Sequence, residues 1–483
     1  MSRAVLDAAP CDARLAPWPW RRLDAASWRA LAEDAAAGDF TLLALWAGAE
    51  EVRALLRDND GAILPISAPL IAGRYPTLTQ AWPEAHGFEA AIADLWGHQA
   101  EGSAAGRRLD HGLWPRATPL APAAPATPSR PDWPEFFPAA AGEQWPHGPA
   151  HAPFLPPEHW RLHLRGTKIA AAARRVGYAH KGQISLMRGK TVRVAARFAA
   201  RLAGEATVAH SLAFAAAAEA ALGVAIPPRA AAIRAVMAEL ERIATHLADL
   251  ADILGAIGET RPAARTLAAL GELREALGAA FGHRLMMDSV VPGGIAIDLD
   301  QGGRERLLSG LAPIEVWRQR LALPDAALAG RGIARGLGAG IAGRAGGLTG
   351  DARRSPGYRP YETLDFVSPT ATAGDARARA RLRVEEIGLS VTLVRHLLAR
   401  LPPGTLSAAL PGGSGEGLGV AEGPAGEIWH YLAIGGGLIA EAFPIDPGWR
   451  NEVALLAALT GAERGDWRLI RASFGGGVSA IDL

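Results

Sequence analysis

Two helical stretches broken at Pro227-Pro228 dominate the chain between Gly177 and Gly255. After the break, Ile233, Val236, Met237, Leu240, Ile243, Leu247, Leu250 and Leu254 recur every three or four residues, the spacing of one buried helix face. Before it, Ser211 to Leu222 is alanine-rich and ends at Gly223, a residue that tolerates the left-handed conformation of a helix C-terminus. Burying each large side chain is worth roughly 1.5–3 kcal/mol. The downstream face alone is therefore able to anchor a core, and a helical domain is expected around it.

At 483 residues the chain exceeds what one compact core usually spans, so at least two domains are expected. Fifty basic residues face forty-nine acidic ones, which leaves no net-charge argument for nucleic acid or an anionic membrane. Lysine stands only at 168, 181 and 190, a compositional bias rather than a chemical signal. No uncharged apolar run reaches about eighteen residues, so no transmembrane helix is expected. The opening MSRAVLDAAPCDARL lacks the apolar centre of a signal peptide, and a cytoplasmic location follows as the expectation. Cys11, the single cysteine, falls in a segment expected to be loose, and it excludes an internal disulfide or a multi-cysteine metal site.

Three regions follow along the chain. In residues 1–116, Thr41–Trp46, Glu51–Leu56 and Ala62–Ser67 read as strands, with Asp58-Asn-Asp-Gly61 as a turn between the last two. Phe88, Ile92 and Leu95 then mark one face of a helix ending near Gly97. Residues 117–147 are expected to be a Pro/Ala-rich linker, since Pro119, Pro122, Pro125, Pro128, Pro131, Pro134 and Pro138 forbid helix and ladder hydrogen bonds. Residues 148–483 form the third region. The fold class expected is α+β: a small N-terminal α/β domain, a Pro-rich linker, and a large, mainly helical domain with peripheral strands.

Several ordered motifs carry a resemblance. Arg201-Leu-Ala203-Gly204-Glu-Ala206 leads to His210, Tyr178-Ala-His180-Lys-Gly182 precedes it, and a V-x-x-P-P-R helix with Glu241-Arg242 and His246 follows. Further on come Gly340-Ile-Ala-Gly-Arg344 with Asp351 and Arg353, then Glu422-Gly-Pro424-Ala425-Gly426-Glu427, and finally Ser473-Phe-Gly-Gly-Gly477-Val-Ser-Ala480-Ile-Asp482. This set resembles the large-subunit family shared by nickel-iron hydrogenases and the 49-kDa, quinone-site subunit of respiratory complex I. The N-terminal region, with Arg107-Arg-Leu109 and Trp114-Pro115 at its close, resembles the 30-kDa subunit of complex I, which is fused ahead of the large subunit in formate hydrogenlyase-like enzymes.

The resemblance also implies what is missing. The family's four nickel-iron thiolates correspond to Ala203, Ala206, Gly477 and Ala480; its proton-relaying glutamate corresponds to Ile184, and its overhanging arginine to Ala425. Phe154 and Leu155 occupy the region of the quinone-headgroup histidine, and Val192 falls at the quinone-site tyrosine. A methyl group cannot ligate a metal. The expected protein is thus a hydrogenase-like or NADH-quinone oxidoreductase-like subunit that is not an active hydrogenase by itself and binds no cofactor. An iron-sulfur cluster is expected in a partner.

As the family implies, the partners are a small iron-sulfur subunit, a multi-spanning membrane subunit and antiporter-like subunits, with the chain peripheral on the inner face of the cell membrane. The alternative is electron transfer to a quinone or other acceptor in the vacated cavity. The retained polar residues His180, His210, Arg201, Asp351 and Arg353, with Glu241, Arg242 and His246, either move protons there or satisfy one another as buried polar groups do. Arg377, Arg379, Arg381 and Arg383 divide between two sides of a helix, for which a solvated or partner-facing position and an Arg381–Glu385 pair are expected.

Overall fold

The computed structural model describes residues 6–34, 38–103, 106–112, 114–122, 136, 142–151 and 156–483. The prolines from 125 to 138, and Phe154 and Leu155, lie outside the described residues. The architecture is α+β, helices combined with several small sheets.

Alternating apolar residues build the first sheet from β1 (Cys11–Asp12), β3 (Trp20–Arg22), β4 (Phe40–Ala47), β5 (Glu51–Asp58) and β6 (Ile63–Pro69), while β2 (Leu15–Ala16) leaves for another sheet. The order is β1-β3-β6-β5-β4, antiparallel except for the β3–β6 pair. Cys11, expected in a loose segment, is exposed but belongs to a paired edge strand, because Asp12 beside it is clamped by the Arg22 guanidinium at 2.9 Å. Helix α1 (Ala85–Trp96) buries Phe88, Ile92 and Leu95 and closes on the left-handed Gly97, as its spacing predicts.

Strands β7 (Glu143–His147), β8 (His159–Arg165) and β9 (Lys168–Arg175) form a second antiparallel sheet in the order β9-β8-β7. Residues 143–147, which the proline count takes into the linker, are therefore an edge strand. The third sheet is the meander β10 (Gly415–Gly423), β11 (Gly426–Gly435) and β12 (Leu438–Ile445), with β2 added in parallel on β10. Trp20 and Trp46 of the first sheet pack against Tyr431 and Phe443 of this meander, with ring centroids 5.9 and 6.0 Å apart, so one apolar cluster runs through both sheets.

The helical body is α2 (Thr207–Leu222), α3 (Pro228–Ala256), α4 (Thr260–Phe281), α5 (Ala376–Ala399), α6 (Gly448–Leu459) and α7 (Trp467–Phe474). Pro228 opens α3 at its first turn, where the missing N–H costs nothing. The periodic face of α3 is buried as expected. Its other side is buried too, carrying Arg234, Glu239, Glu241, Arg242 and His246, because α4, α5 and α7 pack around it. Helix α2 begins four residues before the expected Ser211, since the Glu241 carboxylate accepts the N–H groups of Val208 and Ala209 at 2.6 and 2.9 Å. A remote side chain thus satisfies the orphan donors of a helix start that has no local cap.

Helix α2 lies directly on β10. A Cβ added at Gly415, Gly417 or Gly419 would come within 2.2, 1.9 or 2.2 Å of the carbonyl oxygens of Ala221, Ala217 and Ala213. Alternate glycines of the strand therefore mesh with every fourth residue of the helix, each an alanine.

The solvated reading of α5 is corrected. Arg379 and Arg383 are fully buried, and Arg381 pairs with Asp325 rather than Glu385. Arg379 donates to the carbonyls of Gly374 and Gly332 at 2.7 and 2.9 Å and to Ser473 Oγ at 2.9 Å, while Arg383 Nε reaches Asp249 Oδ2 at 2.9 Å. Partners from the loop before α5, from α7 and from α3 neutralise what the helix alone would have to expose.

Candidate functional site

The segment before α2 and the segment after α7 meet at the centre of the body. Gly477 N–H donates to Glu205 Oε1 at 2.6 Å, and Lys181 Nζ bridges them, reaching Leu202 O at 3.1 Å and Ser479 Oγ. Ala203, Ala206 and Ala480 are buried in one apolar cluster. The four positions assigned to thiolates thus lie in two adjoining segments, but three offer methyl groups and the fourth a hydrogen. A nickel-iron centre needs soft sulfur donors, and the residues present do not fit it. A Cβ on Gly477 would lie 2.3 Å from Glu205 Oε1, so that carboxylate occupies the space a side chain at 477 would take.

Motif reading passes over Glu205, although it stands between Ala203 and Ala206 in the motif itself. It is half-buried, and desolvation pushes its carboxyl pKa up, with the charge of Asp446 adding to the rise against the backbone N–H groups of Glu205 and Gly477. Two cavities open beside it. One, of about 40 Å³, lies between Glu205, Ala206, Ala425, Asp446 and Asn451. The other is a groove of about 750 Å³ between α3 and α4, walled by Ala248, Leu267, Leu270 and Leu277 and reaching Gly475–Gly477. Glu205 lines both.

The candidate residues separate into different places. His210 is fully buried, with Nδ1 3.1 Å from His430 Nε2 and Nε2 3.2 Å from Asp446 Oδ2. Burial holds His430 well below the ordinary imidazole range, with His210 adding to the effect. His180 is tied instead to the C-terminus, its Nδ1 2.6 Å from Asp482 O, while the Asp482 carboxylate accepts the N–H groups of Gly177 and Ala179 at 2.7 and 2.8 Å. Arg201 is exposed and pairs with Asp288 through two contacts of 2.8 Å, so the buried reading fails for it.

Asp351 and Arg353 join a buried charge network with α3, α5 and the β10 end. Arg353 contacts Asp351 at 2.6 Å and Glu239 at 3.1 Å, Arg344 holds Glu386 and reaches Glu422 at 3.1 Å, and His246 Nε2 lies 2.7 Å from Glu386. Arg242 donates to the carbonyls of Gly423 and Glu422 at 2.9 and 2.7 Å, fastening α3 to the hairpin turn. Four carboxylates (Glu239, Asp351, Glu386, Glu422) thus face three guanidiniums (Arg242, Arg344, Arg353), which leaves one excess negative charge if all ionise. Glu422 is the one pushed up, to about 7, by burial and the charge of Asp351. Asp351 is held well below the usual carboxylate range: burial opposes ionisation, and the Arg353 guanidinium outweighs it. Glu241 stands apart as the cap of α2, raised to about 8 by burial against its two backbone donors.

Comparison with known proteins adds the lineage. The model of the respiratory-chain NADH dehydrogenase 49 Kd subunit matches residues 315–412, which include Arg344, Asp351, Arg353 and α5. An NADH-quinone oxidoreductase subunit of Dehalococcoides mccartyi is 30% identical over 307 residues, 60% of this chain and 84% of that protein. The carbon monoxide-induced hydrogenase of Rhodospirillum rubrum is 26% identical over 344 residues, 67% of this chain and 95% of that protein. Among solved structures, a chain of an archaeal membrane-bound sulfane sulfur reductase complex superposes with a TM-score of 0.64 at 21% identity, over 71% of this chain and 98% of that one, which establishes a shared fold.

Proposed function

The chain belongs to the family of the respiratory-chain NADH dehydrogenase 49-kDa subunit, with hydrogenase large subunits among its relatives, and on that premise we propose that it is a large subunit whose nickel-iron centre has been lost and whose role is structural or coupling. The observation that carries this reading is the replacement of the donor set. Ala203, Ala206, Gly477 and Ala480 stand at the thiolate positions, and Glu205 lies hydrogen-bonded on Gly477 where a fourth ligand side chain would project. The surrounding scaffold keeps its packing and its paired charges, as a subunit retained for assembly requires.

In this reading the chain docks a small iron-sulfur subunit at the Glu205 face and sits, through multi-spanning and antiporter-like subunits, on the inner face of the cell membrane. No helix among the described residues is long and apolar enough to cross a membrane, so attachment runs through partners. The test is the metal content of the native complex isolated through a tag on this chain. Iron without nickel is the expected result; stoichiometric nickel would overturn the reading.

A second reading is favoured by the groove of about 750 Å³, whose apolar walls reach Gly475–Gly477. There an electron acceptor such as a quinone would be reduced by the partner's cluster. Filling the groove with Ala248→Trp should then abolish acceptor reduction by the intact complex. Unchanged reduction would reject it.

A further inference from the structure

The small cavity beside Ala206 has charged groups on several walls, and most are engaged elsewhere. Arg174 and Arg471 are both held by Glu158, at 2.6 and 3.0 Å, and Glu452 is held by Arg108 at 2.7 Å. Off the cavity wall, Glu241 on the larger groove is committed to the start of α2, and Lys181 Nζ to Leu202 O and Ser479. Two carboxylates remain, Glu205 and Asp446, and neither makes a salt bridge to a lysine or arginine among the described residues. Glu205 accepts from the backbone of Gly477 at 2.6 Å; Asp446 Oδ1 accepts from the backbone of Gly448 at 2.7 Å. Both line the cavity of about 40 Å³, ample for a water, which needs roughly 10–15 Å³ and polar partners on its walls.

The imidazoles behind Asp446 give this pair a direction. His430 is sealed in the core by Phe214, its strand neighbours across the sheet are Gly419 and Pro444, and its Nδ1 has no partner among the described residues. A bare lone pair is the cheaper of the two ways to leave that atom alone, since an orphaned N–H would lose a strong donor bond. The proton of His430 therefore sits on Nε2 and is donated to His210 Nδ1. With Nδ1 accepting, His210 carries its proton on Nε2 and donates it to Asp446 Oδ2. Asp446 thus accepts from His210 at Oδ2 and from the Gly448 N–H at Oδ1.

We propose that Glu205 and Asp446 form an acid–base pair that shares one proton across the small cavity, with Glu205 as the resting proton holder and His210–His430 as the relay that presents a donor to Asp446. Two carboxylates facing one site do not both ionise readily. Because Glu205 also lines the groove, it is the proton donor presented to a basic oxygen of a ligand there. In that transfer Glu205 loses its proton to the oxygen base and becomes a carboxylate. The pair is then doubly ionised, and like-charge repulsion draws one proton back from solvent through the groove.

The test needs no groove ligand and is independent of the nickel question. Infrared difference spectra of the full chain against Glu205→Gln isolate the carboxyl stretch of Glu205, and Asp446→Asn measures the influence of its partner. A protonated carboxyl band at pH 7, absent from Glu205→Gln, is expected, and its midpoint should fall by about one unit or more in Asp446→Asn, where the like charge is gone. In ¹⁵N-histidine spectra His210 should carry its proton on Nε2 and become a tautomer mixture in His430→Phe. No Glu205 band at pH 7, an unmoved midpoint, or an Nδ1-protonated His210 would overturn the proposal. Should Glu205→Gln fail to fold, the shift between wild type and Asp446→Asn decides the matter alone.

Discussion

Removing the Glu239 carboxylate tests whether the buried charge network holds the body together. Glu239 is fully buried and accepts from Arg353 Nη1 at 3.1 and 3.2 Å, Tyr361 OH at 2.7 Å, Ser390 Oγ at 2.6 Å and Arg242 Nε at 3.3 Å. Burial opposes its ionisation, yet Arg353 and Arg242 together hold its pKa below the ordinary value. In Glu239→Ala, two buried guanidiniums lose a counter-charge and two hydroxyls lose an acceptor. Breaking a buried pair from one side costs about 3–5 kcal/mol, a large part of the 5–15 kcal/mol that typically separates folded from unfolded protein. Glu239→Gln keeps the shape and loses the charge, for an expected cost of about 1–3 kcal/mol. Urea unfolding followed by tryptophan fluorescence reads both, with Arg381→Ala, which breaks the exposed pair to Asp325, as the control expected to cost below about 1 kcal/mol. If Glu239→Ala lost no more stability than this control, the claim that the network is a structural keystone would be refuted.

Two further outcomes follow from the packing and the charges. Gly417→Ala places a methyl 1.9 Å from Ala217 O, and the forced separation of α2 from β10 should cost at least about 1–3 kcal/mol; a wild-type unfolding midpoint would contradict the meshing of strand and helix. Glu158 is lowered to about 2, burial being overcome by Arg174 and Arg471. Its folded pKa lies below the unfolded one, so its contribution is present above about pH 4.5 and is lost as pH falls towards 2, on the order of 3 kcal/mol in all. Glu158→Gln should flatten the acid limb of stability against pH, and an unchanged slope there would count against the assignment.

The sequence carries the local rules well and the remote ones poorly. The three-four spacing along α3, its opening at Pro228 and the closing glycines 97 and 223 are legible because each depends on residues within one or two turns. The start of α2 is not, since its cap comes from Glu241 on the next helix. Nor is the burial of Arg379 and Arg383, whose partners Gly332, Asp249 and Ser473 are brought in only by the tertiary fold. At the site, attention to the four positions that the resemblance assigns to thiolates passes over Glu205, the residue between two of them, and over His430 and Asp446, which no motif marks. The glycine alternation at 415, 417 and 419 is visible in the chain, but its meaning depends on the helix that lies on it.

That alternation acts as a vernier. Four helical residues advance about 6.0 Å and two strand residues about 6.6–6.8 Å, so the two scales stay in step for three rungs and then drift apart. The last rung, Gly419 on Ala213, is also the one beside which His430 stands, since Gly419 and His430 are cross-strand partners. One turn earlier on the helix lies His210. The 3.1 Å spacing of the two imidazoles is therefore tied to the register of the glycines, and a slip of a single rung, about 6 Å, would uncouple them.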